Sequence, residues 1–159
     1  MKYRETYIIF ELSGSSYGLP SQDVLHIEML EHISSVPHTA PAVDGVVFSR
    51  GQVIPALNLR VRFGFPRAEP TSRTRLIFLK VQQRTVALIV DAAREFHTIP
   101  AATIRPVEET LLGIGGNYVQ GVVTIAGRLV LLLDIVAVLD LDDSTPLIAA
   151  EAAALQPAT

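Results

Sequence analysis

Gly14-Ser15-Ser16-Tyr17-Gly18 has the GxSxG spacing of a nucleophile elbow. In that device a strand delivers the serine to a sharp turn and a helix leads away, leaving the hydroxyl exposed beside a base. Here Pro20 follows closely and apolar, β-prone segments flank the motif on both sides, so a hairpin turn explains it better than an esterase built on Ser16. Gly113-Ile114-Gly115-Gly116 lacks the Lys-Ser/Thr of one kind of phosphate loop and the third glycine of the other. The four histidines, His26, His32, His38 and His97, form no HxH or i, i+4 pair, and there is no cysteine. No metal site and no cofactor is expected from them. His26 and Glu28 share one face of a strand, which permits a local pair without implying catalysis. Glu108-Glu109 and the acids from Asp140 to Asp143 read as caps or solvated loop charges. Asp91 and Asp134 each end an apolar strand, where a carboxylate can satisfy turn amides. No catalytic residue and no acid–base pair emerges. Arg50 stands apart, at a hairpin tip between two apolar strands. It is either a solvated turn residue or a fork of donors offered to a partner's carboxylate or backbone.

The elements that position these residues are mostly strands. Tyr7 to Leu12 and Tyr17 to Leu19 form a hairpin around Ser13 to Ser16. Gln22 to Leu30 reads as an imperfect strand, with Val24 on the side of His26 and Glu28, and Leu25 on the side of Ile27 and Met29. After a Val36 to Pro41 loop, Val43 to Val47 and Gln52 to Leu59 flank a turn at Ser49-Arg50-Gly51. Arg62 to Arg73 is a surface connection. Arg75 to Val81 and Arg84 to Asp91 pair around Gln82-Gln83, and Phe96 to Ile99 extends the sheet. A Gly-rich loop spans Val107 to Gly116, and Tyr118 to Ile125 and Arg128 to Asp134 make a third hairpin around Ala126-Gly127. A short helix is expected from Ile135 to Leu141, and an Ala-rich tail from Ser144.

The chain also repeats itself. Gly45 to Leu59 aligns without gaps to Gly121 to Ile135: both open GVV, carry a glycine three residues on, and end in an apolar strand with Asn58 or Asp134. Gly51 and Gly127 supply the positive φ of a tight hairpin, whereas Gly45 and Gly121 open strands where backbone must pass closely or bend. Each copy follows a hairpin. Two similar β units imply two small barrels sharing an apolar seam, because neither buries enough alone. The 159 residues suit one domain or two such subdomains, and the 49% hydrophobic content suffices for a core. A net charge of -3 with scattered basic residues excludes the stripe that nucleic acid requires. No apolar run is long enough to span a bilayer and no signal peptide is recognisable, so a cytoplasmic protein without direct membrane insertion is expected.

The segment Gly45 to Gly64, GVVFSRGQVIPALNLRVRFG, resembles the signature of the CheW family, and so do Tyr17-Gly18-Leu19-Pro20, Val36-Pro37 with Pro41, Val86 to Asp91, Tyr118 to Val122 and Gly127 to Asp134. The resemblance runs from about Tyr7 to Asp140. It implies an all-β fold of two small SH3-like five-stranded barrels around a shared hydrophobic core, with a short C-terminal helix. One CheW-like domain then covers 1–143, with one subdomain near 20–70 and the other formed by the rest, followed by a tail at 144–159. It also implies a non-enzymatic adaptor that bridges the cytoplasmic tip of methyl-accepting chemoreceptors and the regulatory domain of a CheA-like histidine kinase, peripheral to membrane-bound receptor arrays. Val24, Gly45, Val46 and Arg50 match places that contact receptor in that family, and Ile27 and Glu28 extend the expected groove. Gly51, Asp91, Gly121, Gly127 and Asp134 are expected in turn and strand-end roles. Departures fall at His26, where the family has Glu, at Phe48-Ser49, where it has Asn-Leu, at Asn58 and at Ala87. Such changes leave room for an adaptor of a non-flagellar pathway such as pilus-driven twitching, or for a stand-alone β-barrel module binding a ligand or peptide.

Overall fold

Apolar residues run almost unbroken along most of the strands, and turn residues break them at short intervals, so the chain folds as a succession of hairpins. The computed structural model describes residues 4–107 and 118–139. The glycines from Gly113 to Gly116, the acids at 108–109 and 140–143, and the Ala-rich tail lie outside them. In chain order the strands are β1 (Arg4–Leu12), β2 (Ser15–Pro20), β3 (Val24–Met29), β4 (Val43–Ser49), β5 (Gln52–Asn58), β6 (Arg75–Val81), β7 (Arg84–Val90), β8 (Ala92–Pro100), β9 (Val119–Ile125) and β10 (Arg128–Leu133). Two short helices, α1 (Leu59–Arg62) and α2 (Ile135–Leu139), follow β5 and β10. No helix among the described residues is long and apolar enough to cross a membrane.

The strands form two five-stranded sheets, ordered β8-β1-β2-β10-β9 and β3-β6-β7-β5-β4. Each sheet draws hairpins from both copies of the repeat. The β1–β2 hairpin meets β10 of the second copy through a parallel pairing, and the β6–β7 hairpin meets β5 of the first copy through another. The second sheet therefore spans 24–90, a longer stretch than 20–70, because β7 is the parallel partner of β5. Substituting β1 for β6, β2 for β7, β3 for β8, β4 for β9 and β5 for β10 turns one strand order into the other. The correspondence reaches single residues. Bulges fall between Val43 and Gly45 in one copy and opposite Leu132 and Leu133 in the other. Isolated antiparallel bridges join Ser34 to Val46 and Arg105 to Val122, bringing each sheet's two edges together into a barrel. Asn58 N–H donates to the Ala42 carbonyl at 2.7 Å, and Asp134 N–H donates to the Tyr118 carbonyl at 2.7 Å.

Two small clusters and one large one make the core. Tyr7, Ile9, Val123, Val130 and Leu132 fill the first barrel, and Val47, Ile54, Ala56, Leu76, Phe78 and Ala87 fill the second. The seam between barrels takes the opposite strand faces, with Ile8, Phe10, Leu12, Leu57, Ile77, Leu79, Leu88 and Leu133 among them. This is the period-2 signature of strands buried on both faces. The alternation expected in β3 is corrected by a bulge at Leu25: Val24 pairs with Leu79 but His26 with Phe78. One extra residue reverses the face of everything before it. Val24 and Ile27 thus pack together against the seam, whereas His26 and Glu28 turn to the other face.

Candidate functional site

The corner where β3 meets the β4–β5 hairpin gathers most of the residues singled out by sequence. Antiparallel pairing of β4 with β5 ends in a two-residue turn, Arg50-Gly51, with φ of 50° and 77°. Both values are those of a type I′ turn, which suits the twist of a hairpin. The Arg50 side chain is exposed at the tip and makes no hydrogen bond or ion pair among the described residues.

Behind the turn lies a polar knot. His26 Nε2 sits 2.6 Å from Glu28 Oε2, and Ser49 Oγ donates to the same carboxylate oxygen at 2.8 Å. The His26 ring stacks on Phe78, centroids 4.3 Å apart. A serine, a histidine and a carboxylate are together, but not as a catalytic relay. A relay needs the imidazole between hydroxyl and acid, taking the serine proton. Here the Ser49 proton goes to Glu28, and His26 Nε2 is spent on the same oxygen, 3.5 Å from Ser49 Oγ. The knot ties one edge strand of the barrel to the other.

Gly45 and Val46 shape this corner from beneath. Gly45 has a φ of 148°, and a Cβ placed there would stand 2.1 Å from the Ser34 carbonyl oxygen. Val46 exchanges two backbone hydrogen bonds of 2.8 Å with Ser34 and is 3% exposed. Val24 and Ile27 are half-buried. Of the expected groove residues, Arg50 alone is freely exposed.

The strand-end residues act at a distance from that corner. Asp91 accepts from Ser13 N–H at 2.8 Å, from Arg60 Nε at 2.9 Å and from Arg60 Nη2 at 2.6 Å, joining the β1–β2 turn of one barrel to α1 of the other. Burial pushes its pKa up, but the Arg60 hydrogen bonds, the Ser13 amide and the Arg60 charge together outweigh it, and the carboxyl is held below its ordinary range. Asn58 and Asp134 cap α1 and α2: Asn58 Oδ1 accepts from Arg60 and Val61 N–H, Asp134 Oδ1 from Val136 and Ala137 N–H. Gly51 and Gly127 take φ of 77° in their turns. A Cβ on Gly121 would meet Ile104 Cγ2 at 2.8 Å and the Arg105 carbonyl oxygen at 3.3 Å. Ser16 lies buried within β2, between β1 and β10, and the strand runs on past it to Pro20 where an elbow would turn into an α-helix. Sequence reasoning missed Arg60 and Ser49 as structural partners. Arg60 reaches Asp91 only through the long-range β5–β7 pairing, and no local pattern announces it.

Fold and site together define a double-barrel β scaffold whose polar clusters brace strands and cap helices. A family model of the CheW-like domain matches residues 6–143. The chain is 31% identical over 144 residues to "Chemotaxis protein CheW" of Bacillus subtilis, covering 91% of this chain and 92% of the relative. It is 28% identical over 131 residues to "Chemotaxis protein CheW" of Klebsiella aerogenes, covering 82% and 79%. The crystal structure of the scaffolding protein TtCheW from Thermoanaerobacter tengcongensis shares the fold, with a TM-score of 0.79 at 24% identity over 86% of this chain and 92% of that one. The chain belongs to the CheW-like domain family.

Proposed function

We propose that this chain is a cytoplasmic, non-enzymatic adaptor that couples the tip of chemoreceptors to the regulatory domain of a CheA-type histidine kinase. The family match across 6–143, with relatives named as chemotaxis proteins at near full length, carries the reading. The receptor meets the β3/β4–β5 corner. Arg50 makes the exposed contact, Val24 and Ile27 line the groove at the seam, and Glu28, Gly45 and Val46 hold the corner in shape. An exposed guanidinium suits this task because its planar fork matches a carboxylate. Each contact is modest, on the order of micromolar and about -8 kcal/mol, so assembly into arrays depends on multivalency.

The test is a sedimentation assay with a receptor tip fragment and the kinase regulatory domain, separately and together. A ternary complex is expected, with Arg50→Glu losing receptor binding while the melting temperature stays unchanged. Failure of the wild-type chain to bind either protein would end the proposal.

A further inference from the structure

The connection from α1 to β6 crosses the outside of the molecule. Residues 66–73 are all exposed, between half-buried Phe65, which packs on the seam, and buried Thr74. No apolar side chain of this strap is buried, and the backbone of residues 67–70 makes no hydrogen bond among the described residues. Its fastening is ionic. Arg67 Nη1 donates to Asp44 Oδ1 at 2.8 Å and Nη2 to the Pro41 carbonyl at 3.2 Å, at the start of β4 in the second barrel. Arg73 Nη2 donates to Glu11 Oε2 at 3.0 Å, on β1 of the first barrel. Arg60 Nη1 adds one hydrogen bond, to the Pro66 carbonyl at 3.1 Å. Two cavities lie under the strap. One, of about 350 Å³, separates Arg67 and Ala68 from an apolar wall of Leu30, Ile33 and Ile89. The other, of about 370 Å³, lies between Arg73, Glu11 and Gly14. Arg60 and Asp91 line both, so the strap passes over the ion pair that joins the barrels.

We infer that residues 66–73 form an electrostatic latch: a lid that ties β4 of one barrel to β1 of the other and opens when its two arginines are screened or displaced. A segment that buries no apolar surface and spends few backbone hydrogen bonds opens at little cost. What closes this one is a pair of guanidinium–carboxylate contacts whose arginines are 59% and 66% exposed, within reach of dissolved ions. The acids do not leave with them. Asp44 is also held by Asn58 Nδ2 at 2.9 Å, and Glu11 by Arg94 Nη1 at 3.1 Å. Both carboxylates therefore stay in place when the arginines depart, and the latch can reclose on the same two sites. Opening exposes Arg60 and Asp91 to water, where an ion pair is weaker. The closed strap thus protects the joint between the barrels, and ionic strength, or an anion competing for Arg67 and Arg73, is the signal it answers to.

The chain has no cysteine, so a single thiol reports on the cavity. Ile89→Cys in the full chain is labelled with N-ethylmaleimide, an uncharged reagent, alone and combined with Arg67→Gln, Arg73→Gln or both. Labelling is run at about 0.01 M and about 1 M sodium chloride, across which the screening length falls from about 30 Å to about 3 Å. Leu30→Cys, on the same wall, is run beside it, so that one unfolded variant does not decide the outcome. Phe48→Cys, at a site 71% exposed and outside both cavities, corrects for any effect of salt on the reagent. At low salt each arginine substitution should speed cavity labelling about threefold, and both together about tenfold. High salt should speed the unsubstituted strap by a similar factor and leave the double variant unchanged. The rate should also be flat in dilute urea, because lifting the strap exposes little surface. Labelling that ignores both salt and the arginines would overturn the inference. So would a rate that climbs with the first additions of urea, since the thiol would then be reached only by global unfolding.

Discussion

At the closure of one barrel, His26 and Glu28 of β3 are tied to Ser49 of β4; at the closure of the other, the corresponding places hold Glu95, His97 and Ile125. The strand frame is the same in both. Each has a bulge in its edge strand, at Leu25 and at Arg94, a bridge across the closure, and a glycine where the bridging chain passes. The side chains are not. One corner carries a polar knot with Arg50 and Phe48 outside it, and the other Ala126 and Thr124. Closing a five-stranded barrel imposes a fixed set of backbone demands, which both halves meet in the same way. Side chains carry no such demand, and there the halves differ in chemistry.

The interiors show how far that division goes. Leu132 packs over Gly18 in the first barrel, where an added Cβ would lie 2.8 Å from Leu132 Cδ2. The equivalent pair in the second barrel is Ala56 beside Ala87, and the space that Leu132 would fill is available to Phe78, which stands in the place of Ile9. Volume is conserved while its owners change, as close packing requires.

The sharpest test of where the two closures differ is a matched pair of glycine substitutions. Gly45→Ala places a methyl against a backbone carbonyl at 2.1 Å with φ at 148°, so it must break the Ser34 bridge or strain the strand. A loss of at least about 4 kcal/mol is expected from strain and overpacking together. Gly121→Ala meets mainly the movable methyl of Ile104, and about 1–2 kcal/mol is expected. Urea denaturation of both measures the difference; equal losses would mean that the two closures are not built as described.

Next in size is the shared seam. Leu57 and Leu133 hold equivalent positions and both are fully buried in the cluster between barrels. Leu57→Ala and Leu133→Ala should each cost about 2–5 kcal/mol. A single cooperative transition is expected in each variant, because the seam belongs to both barrels. Two separate transitions would show the barrels to be independent.

Much of this frame was legible in the sequence, because the gapless match of Gly45–Leu59 with Gly121–Ile135 marks equivalent strands and turns directly. The exchange of hairpins between barrels was not. Parallel pairing of β5 with β7 and of β10 with β2 leaves no local trace, since strands buried on both faces look alike whichever neighbour they take. The resemblance names a set of expected groove residues, yet says nothing of how they pack. Nothing in the order His26-Ile27-Glu28 says that Ser49, distant in the chain, will occupy the carboxylate. The bulge at Leu25 was equally hidden, and it moved Val24 to the other face.

The places equivalent to Asp91 and Arg60 hold Gln22 and Val136, so this ion pair is not repeated between them. Asp91→Asn keeps an acceptor for Ser13 N–H but loses the charge, and about 1–2 kcal/mol is expected for a half-exposed bidentate pair. The carboxyl is held below its usual 3.8 in the folded state. Its contribution is therefore complete above that unfolded value and disappears as pH falls through the lower folded one. The stability gap between wild type and Asp91→Asn, measured by urea titration, should stay level at neutral pH and close below about pH 4. A gap that persists there would assign the effect to packing.

The smallest effect lies in the turns. Four hairpins close on two residues of positive φ: Ser13-Gly14, Arg50-Gly51, Gln82-Gln83 and Ala126-Gly127. Three place glycine second, and the β6–β7 turn alone has a side chain there, Gln83 at φ 65°. A left-handed non-glycine residue costs about 1–2 kcal/mol, of which glycine's greater freedom in the unfolded chain takes back about 0.5–1 kcal/mol. Gln83→Gly should accordingly stabilise the protein by about 0.5–1 kcal/mol, seen as a higher urea midpoint with an unchanged slope. Gly14→Gln at the equivalent turn should move the midpoint the other way by a similar amount, since a Cβ there meets nothing within 4 Å and only the backbone conformation resists it. Opposite shifts of matching size would show that the second turn residue sets the difference between the two hairpins. A destabilised Gln83→Gly would mean that the glutamine side chains hold the β6–β7 turn through contacts that outweigh their strain.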